Sequence, residues 1–396
     1  MPDQPALPVL RDLPLVDHHC HGVIRRDLDR GGFEALLTEA GGAYGRAAPG
    51  GVTLFDSQVG LAVRRWCPPI LGLPPHAGPD EYLERRAELG AEEASRRFLR
   101  AAGLASVLVD SGFEPEPLLS PTEMGKLAGA QAHEIVRLEQ VAESVAAGGI
   151  SAGRFADAFR DALAGRARHA VGLKSVAAYR VGLDLRGERP TETEVAVAAA
   201  HWLAAGAGAG GRPVRRLADQ VLHRFLIWCG VDLGLPVQFH VGYGDRDVDL
   251  DRCNPLLLTR LLRAIAPTGT PVMLLHNYPY HREAGYLAQV FPNVYVDVGL
   301  ATHNLGHRAP ALIAETLELT PFGKFLYSSD AFGLPELYYL GATLFRRGLA
   351  AFLRSGLDDG AWTEGDAERI ARQAAAGNAR HVYRLPAGLA GRGFSE

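Results

Sequence analysis

Short apolar runs alternate with amphipathic segments along most of the chain, and this alternation predicts the fold. The runs are rich in β-branched residues and leucine and are apolar on both faces, which is typical of parallel strands covered by helices. Eight runs can be counted, centred near residues 15, 107, 135, 173, 238, 273, 296 and 326. Eight parallel strands that alternate with helices form a closed barrel. The pattern therefore predicts an α/β protein with a (β/α)8, TIM-like barrel.

An open, doubly wound sheet is the competing architecture. Its first strand is normally followed by a glycine-rich phosphate loop, and no such loop follows the first predicted strand, Leu13–Asp17. Between the strands, the pattern predicts a helix that begins near the capping box at Thr191 and Glu194. It also predicts helices over 213–229, 254–265, 281–290, 309–319, 336–353 and 364–383.

Residues 25–100 do not follow the alternation. They contain three Gly-Gly pairs and two Pro-Pro pairs, and no further strand is evident among them. We interpret them as a mostly helical insertion after strand 1 that caps the mouth of the barrel. Because no change of composition marks a linker, residues 1–396 are predicted to form a single domain.

Composition and charge remove several classes of protein. With 47% hydrophobic and 22% charged residues, the chain has enough apolar material for a large core, which excludes a disordered protein. The net charge of −4 gives no basic footprint for nucleic acid or anionic lipid. The four cysteines form no CxxC pair. The N-terminus does not resemble a signal peptide, and no apolar run approaches the ~18 residues of a membrane span. We therefore expect a cytoplasmic protein that acts on a small molecule. A homo-oligomer is compatible with the sequence, which shows no interface.

Polar side chains follow the apolar residues of five predicted strands, at the end where barrel enzymes build their active sites. They are His19 and His21 after strand 1, Lys174 on strand 4, His240 on strand 5, His276 on strand 6 and Asp330 on strand 8. His19 and His21 are two residues apart, so on an extended strand both imidazoles point the same way and His18 points away. This arrangement predicts a metal site.

The residue types indicate which metal and which chemistry. Neutral imidazoles and one carboxylate suit zinc, manganese, iron or nickel, with zinc as the default. Asp330 can bind the ion and also accept a proton from an attacking water. The ammonium of Lys174 would repel a cation, but a lysine carbamylated by CO₂ is anionic and can bridge two ions. Alternatively, Lys174 stays an ammonium beside a single ion and binds a substrate carboxylate.

The order of these residues along the strands resembles the amidohydrolase superfamily, over Leu13 to about Leu385. Further motifs are similar to its amidohydrolase 2 branch, which contains the N-terminal domain of FluG/nodulin-like proteins: Gly172-Leu173-Lys174-Ser175, Ala178-Tyr179-Arg180, His276-Asn277-Tyr278-Pro279, Pro335-Glu336-Leu337-Tyr338 and Gly377-Asn378-Ala379-Arg380. In FluG-type proteins the barrel is fused to a glutamine-synthetase-like domain, and here we expect a stand-alone version. The resemblance implies a TIM-like barrel, metal-dependent hydrolysis and the six residues above as metal ligands.

The favoured hypothesis is a metal-dependent hydrolase. Metal-bound hydroxide attacks an amide-like C–N bond or an ester bond of a small molecule, and Asp330 passes the proton to the leaving group. One alternative is a one-ion decarboxylase of a small or aromatic acid, and another is a non-catalytic signalling or scaffold barrel. Candidate substrate-binding residues, each with a packing or surface role as its alternative, are Arg180, Tyr243, Tyr278 and His281.

Overall fold

Seven parallel strands form one sheet in which each strand pairs with the next along the chain. The computed structural model describes residues 13–40, 52–206 and 216–386. The strands are β1 (Leu15–Cys20), β2 (Leu104–Asp110), β3 (Gln131–Arg137), β4 (Ala170–Ser175), β5 (Val237–Val241), β6 (Val272–His276) and β7 (Val294–Val296). Each coincides with one of the predicted runs, so seven of the eight predicted strands are confirmed.

Residues 325–331 take the eighth position and close the sheet into a barrel. On one side, the N–H of Leu326 donates to the carbonyl of Val296 in β7 at 3.0 Å. On the other, the N–H groups of His18 and His21 donate to the carbonyls of Tyr327 and Ala331, at 3.2 and 2.9 Å. The segment pairs too irregularly to form a regular strand, because only Phe325 makes a bridge to β7. The predicted TIM-like barrel is nevertheless confirmed.

Helices follow the strands and cover the outside of the barrel. They are α1 (Arg30–Ala35), α2 (Gln58–Trp66), α3 (Pro79–Ala101), α4 (Pro121–Ala128), α5 (Leu138–Ala147), α6 (Ala152–Ala167), α7 (Glu192–Gly206), α8 (Gln220–Asp232), α9 (Thr259–Ile265), α10 (His281–Val290), α11 (Gly299–Asn304), α12 (Ala309–Thr316), α13 (Pro335–Asp358), α14 (Glu364–Arg372) and α15 (Asn378–Val382). In the part of the chain that the structure describes, no helix has the length and apolar character needed to cross a bilayer.

Two predicted helices differ from the structure in detail. The helix predicted over 213–229 begins only at Gln220, because the Asp219 side chain accepts from the N–H groups of Val221 and Leu222 and caps it there. The start of that prediction, 213–215, lies outside the described residues. The helix predicted over 364–383 stays helical to Val382, but Gln373–Gly377 forms a π-helical turn between α14 and α15.

The insertion after β1 is mostly helical over its described residues, 25–40 and 52–100. Its longest helix, α3, packs along α13, where Arg86 and Tyr82 bind the buried Glu336 at 2.7 and 3.0 Å. The residues that reach the mouth of the barrel are 35, 36, 38 and 39, which line the cavity described below.

Candidate metal centre

The six residues predicted as metal ligands come together at the C-terminal ends of the strands. Both carboxylate oxygens of Asp330 contact imidazoles. Oδ1 lies 3.1 Å from His19 Nε2 and 3.4 Å from His21 Nε2, and Oδ2 lies 3.1 Å from His276 Nδ1. One carboxylate from the closing segment is thus surrounded by histidines from β1 and β6.

Lys174 and His240 complete this group. The Nζ of Lys174 lies 3.2 Å from His19 Nε2, and the ring of His240 lies 4.8 Å from that of His276. We call the set of His19, His21, Lys174, His240, His276 and Asp330 the metal cluster.

Two cluster residues have left-handed backbone conformations. The φ angle is 68° at His276 and 49° at Asp330, a region that costs a non-glycine residue of order 1–3 kcal/mol. Local hydrogen bonds hold both turns. Asn277 donates from Nδ2 to the carbonyls of Leu274 and Asp297, and the N–H of Asp330 donates to the carbonyl of His19 at 3.0 Å. Such strain is typical of functional sites.

A buried hydrogen-bond network supports His19 from behind. The Nδ1 of His19 lies 2.8 Å from Oε1 of Gln238, and the amide nitrogen of Gln238 donates to the carbonyl of His18 and to the hydroxyl of Tyr383, both at 2.8 Å. These bonds fix the Gln238 oxygen towards His19, so Nδ1 of His19 carries the proton. The bare Nε2 therefore faces Asp330, which is the arrangement that metal-binding histidines adopt.

The same network includes His18 and Asp297. The imidazole of His18 contacts Tyr383 and Asp297 at 3.0 and 2.9 Å, and the second oxygen of Asp297 accepts from the N–H of His276 at 3.0 Å. We call His18, Gln238, Asp297 and Tyr383 the support network. His18 thus has a supporting role and is not one of the cluster residues, as its alternation with the predicted ligands His19 and His21 along the strand indicates. The β1–β2 register shifts between Asp17 and Cys20, next to the point where the His18 ring bonds Tyr383 and Asp297 and the His19 ring bonds Gln238.

Burial keeps three of the cluster histidines, His19, His240 and His276, neutral by lowering the pKa of each. Burial, with the nearby Lys174, lowers the pKa of His19 to about 3. Burial lowers the pKa of His276 to about 4, although Asp330 acts in the opposite direction. For Asp330, burial favours the protonated acid, but His276, His19 and His21 together hold its pKa well below the usual value. Neutral imidazoles beside an ionised carboxylate are the forms that bind a metal.

Unsatisfied nitrogens show that the cluster fits a divalent cation. The structure gives no hydrogen-bond partner to buried ring nitrogens of His21, His240, His276 and His303, although buried polar atoms are normally bonded. Ligand atoms of His19, His276 and Asp330 lie within 4.8 Å of one another. Nitrogen and carboxylate donors in this number suit a divalent first-row metal.

Sequence reasoning missed several residues that the structure places at the site. Asp110 ends β2 and forms a second candidate metal group with His19 and His21, while Arg137 ends β3 and lines the cavity. The rule that strand ends carry the site would have found both. His303, in α11, and Glu39, in the insertion, also line the cavity. No sequence signal marks them.

The cavity above the cluster has a volume of about 360 Å³. Its wall includes Phe113 and Phe332, whose rings lie 5.2 Å apart. It also includes Glu39, whose pKa rises to about 7 because of burial and the nearby Asp330 and Asp245. The size suits a small molecule.

The four predicted substrate-binding residues have different positions. Arg180 lines the cavity and pairs with Glu143 at 2.9 Å. Tyr243 accepts a hydrogen bond from Asn304, a residue of the cavity wall, at 2.9 Å.

The structure does not place Tyr278 or His281 in the cavity wall. The ring of Tyr278 stacks on that of His281, and Nε2 of His281 binds Glu315 of α12 at 2.9 Å. His281 opens α10, and its side chain is directed to the neighbouring helix rather than to the strand ends.

A parallel barrel with a histidine–aspartate cluster at its strand ends defines a class of metal-dependent barrel proteins. Comparison with known families agrees. The model of the Amidohydrolase family (Amidohydro_2) matches residues 128–385. The chain belongs to this family, within the amidohydrolase superfamily.

Individual relatives extend this result. The chain is 26% identical to Protein fluG of Emericella nidulans over an alignment 407 positions long, gaps included, which covers 94% of this chain and 46% of that protein. It thus spans about half the length of this curated relative. The crystal structure of a "putative metal-dependent hydrolase" from Lactobacillus casei is 30% identical, with a TM-score of 0.80 and coverage of 96% of this chain and 97% of that one.

A more distant structure shares the fold. Uronate isomerase from Thermotoga maritima has a TM-score of 0.62 at 12% identity and covers 95% of this chain and 96% of that one. At this identity the likeness concerns the barrel alone.

Proposed function

We propose that the protein is a metal-dependent hydrolase that cleaves an amide-like C–N bond or an ester bond of a small molecule. The observation that carries this proposal is the contact of the Asp330 carboxylate with three imidazoles at 3.1–3.4 Å. Membership of the Amidohydrolase family supports it. So does the 30% identity to a structure described as a metal-dependent hydrolase.

His19, His21, His240, His276 and Asp330 are the residues that would hold the metal, for which we propose zinc. A bound divalent cation would polarise the scissile carbonyl and lower the pKa of water at the site. Asp330 would accept the proton of the attacking water and return it to the leaving group. Its lowered pKa keeps the carboxylate ionised, which is the form that can bind a cation. Gln238 would hold His19 in the required tautomer.

The chemical state of Lys174 determines whether the site would hold one metal ion or two. Its side chain is buried, and burial lowers its pKa to about 8, so a fraction of the amine is neutral near neutral pH. Carbamylation requires the neutral amine and converts an ammonium 3.2 Å from His19 Nε2 into an anion. We propose that the carbamate completes a two-ion site.

The test is the metal content of protein purified with zinc and bicarbonate, beside the Lys174→Ala variant. About two ions per chain, falling in the variant, would support the carbamate. About one ion in both proteins would refute it and would direct the work to acids that lose CO₂. Metal-loaded protein would then be screened against amides, lactones and esters. Turnover should fall about 10²- to 10⁴-fold in Asp330→Asn. Full activity in that variant, or no bound metal in the wild type, would overturn the proposal.

A further inference from the structure

Arg137 lies directly beside the metal cluster. It is the last residue of β3, and its Cα pairs with that of Lys174 in β4. Adjacent strands are about 4.8 Å apart, and both side chains line the cavity. A molecule bound at the cluster would therefore lie within a few atoms of the Arg137 guanidinium.

The guanidinium keeps one nitrogen for a ligand. Nε and Nη2 both donate to Oδ2 of Asp110, at 3.2 and 2.5 Å. Nη1 donates to no acceptor among residues 13–40, 52–206 and 216–386 and is not fully buried, and the Arg137 side chain lines the cavity. Arg180 also lines the cavity, but its Nη1 donates to Glu143 and to the carbonyl of Leu217, and the nitrogen that it leaves without a partner is the buried Nε.

Neighbouring residues hold Arg137 in this position. Its side chain is only 12% exposed, and the Asp110 carboxylate is itself fixed by the N–H of Gly112 at 2.9 Å. A Cβ at position 112 would collide with Cβ and Cδ of Arg137, so glycine makes room for the side chain. The guanidinium also lies over the ring of Phe113, 5.6 Å from its centroid.

We propose that Arg137 binds a carboxylate of the substrate through Nη1, and that Phe113 and Phe332 contact an apolar part of the same molecule. A guanidinium offers only donors in a planar fork, which suits a carboxylate. The substrate class is therefore a small carboxylic acid whose hydrolysed bond lies a few atoms from the carboxylate. This inference rests on the proposed hydrolase function for the hydrolysed bond, and on the described side chains for the carboxylate.

The cavity also contains acids, which makes the sign of the preferred charge testable. Glu39 and Asp245 line it together with Asp247, which pairs with Arg216 at 2.7 Å. If these acids rather than Arg137 set the preference, the site would favour an amine.

The experiment measures binding of benzoate, benzamide and benzylamine to the full chain stripped of metal with a chelator, by calorimetry. The three probes share the ring and differ in charge. We expect benzoate to bind at least about tenfold more tightly than the other two. Arg137→Lys keeps a cation beside Asp110 but removes the fork, and should weaken benzoate about tenfold or more. Arg216→Met is the matched control. It removes one positive charge from the same wall, where the side chain is 48% exposed, and should change benzoate binding less than about twofold.

Equal binding of benzoate and benzamide, tighter binding of benzylamine, or unchanged benzoate binding in Arg137→Lys would each overturn the proposal. A crystal structure of the wild-type protein with benzoate gives a second readout that does not depend on how the variant folds. A carboxylate at Nη1 of Arg137 would support the proposal, and a carboxylate anywhere else, or none, would refute it. None of these measurements requires metal or turnover, so they can succeed even if the hydrolase proposal fails.

Discussion

The metal cluster and the support network lie one behind the other in the barrel. Both contain buried histidines, but the two regions differ in whether the ring nitrogens have hydrogen-bond partners. In the support network, both ring nitrogens of His18 and both the amide oxygen and the amide nitrogen of Gln238 have hydrogen-bond partners. In the metal cluster, a ring nitrogen has no hydrogen-bond partner at His21, whose side chain is 12% exposed, and at the buried His240 and His276. The two regions therefore differ in how far the hydrogen bonds of their imidazoles are satisfied, and the open nitrogens of the cluster leave room for a ligand.

The largest expected effect comes from breaking the support network at Asp297. This carboxylate accepts from the N–H groups of His276 and Gly299 and contacts His18. Asp297→Asn should lower the free energy of unfolding by about 3 kcal/mol, because a buried hydrogen-bonded charge is lost. Urea unfolding of the metal-free protein measures this. The Asp330 carboxylate accepts no such backbone N–H bonds among the described residues. Asp330→Asn should therefore lower the free energy of unfolding by less than half as much as Asp297→Asn. The reverse order would show that the division between the two regions is wrong.

A smaller effect is expected where the two regions meet. Gln238→Met removes the acceptor for His19 Nδ1 and should weaken zinc affinity about 10- to 100-fold, measured by competition with a chelator. Gln238→Glu keeps an oxygen acceptor for His19 but loses the donor to the His18 carbonyl, so it should recover part of the affinity. Equal affinity in Gln238→Met and the wild type would mean that the network does not orient the histidine.

The smallest effect concerns the pH dependence of stability. Burial lowers the pKa of His303 in the cavity wall to about 4, below the ~6.5 of an unfolded histidine. Between these values the unfolded chain binds the proton and the folded chain does not, so this histidine destabilises the fold as pH falls. Burial raises the pKa of Asp17 to about 7, which acts in the opposite direction, so only a variant isolates the histidine.

His303→Gln should make the loss of stability between pH 6 and 4.5 shallower by roughly 1 kcal/mol per pH unit, because about one proton no longer binds on unfolding. Chemical unfolding of both metal-free proteins at several pH values tests this. Parallel pH profiles for the two proteins would contradict it.

The strand order and the six cluster residues could be predicted because each depends on local pattern. An apolar run followed by a polar residue marks a strand end, and parallel strands bring all such ends to one rim. What the sequence did not reveal depends on backbone detail. The register shift between Asp17 and Cys20 in β1 leaves no trace in the alternation.

The contacts made by residues in loops were also beyond sequence reasoning. His281 was expected near the site because it follows His276 closely, but its direction depends on how α10 packs against Glu315. Glu39 reaches the cavity from the insertion, where no periodicity relates a residue to the strand ends.

The closing segment has a consequence for how the protein matures during synthesis. Asp17 in β1 accepts from the N–H and hydroxyl of Ser329 at 2.8 and 2.5 Å, across 312 residues of chain. The neighbouring Asp330 meets His19 and His21 by the same closure. A ribosome-bound chain that has emerged only as far as β7 thus carries all four histidines of the metal cluster but lacks Asp330, the carboxylate that contacts three of them. The complete set of ligands therefore forms only when residues 325–331 pair with β1. Tight metal binding would then mark a chain whose barrel has closed.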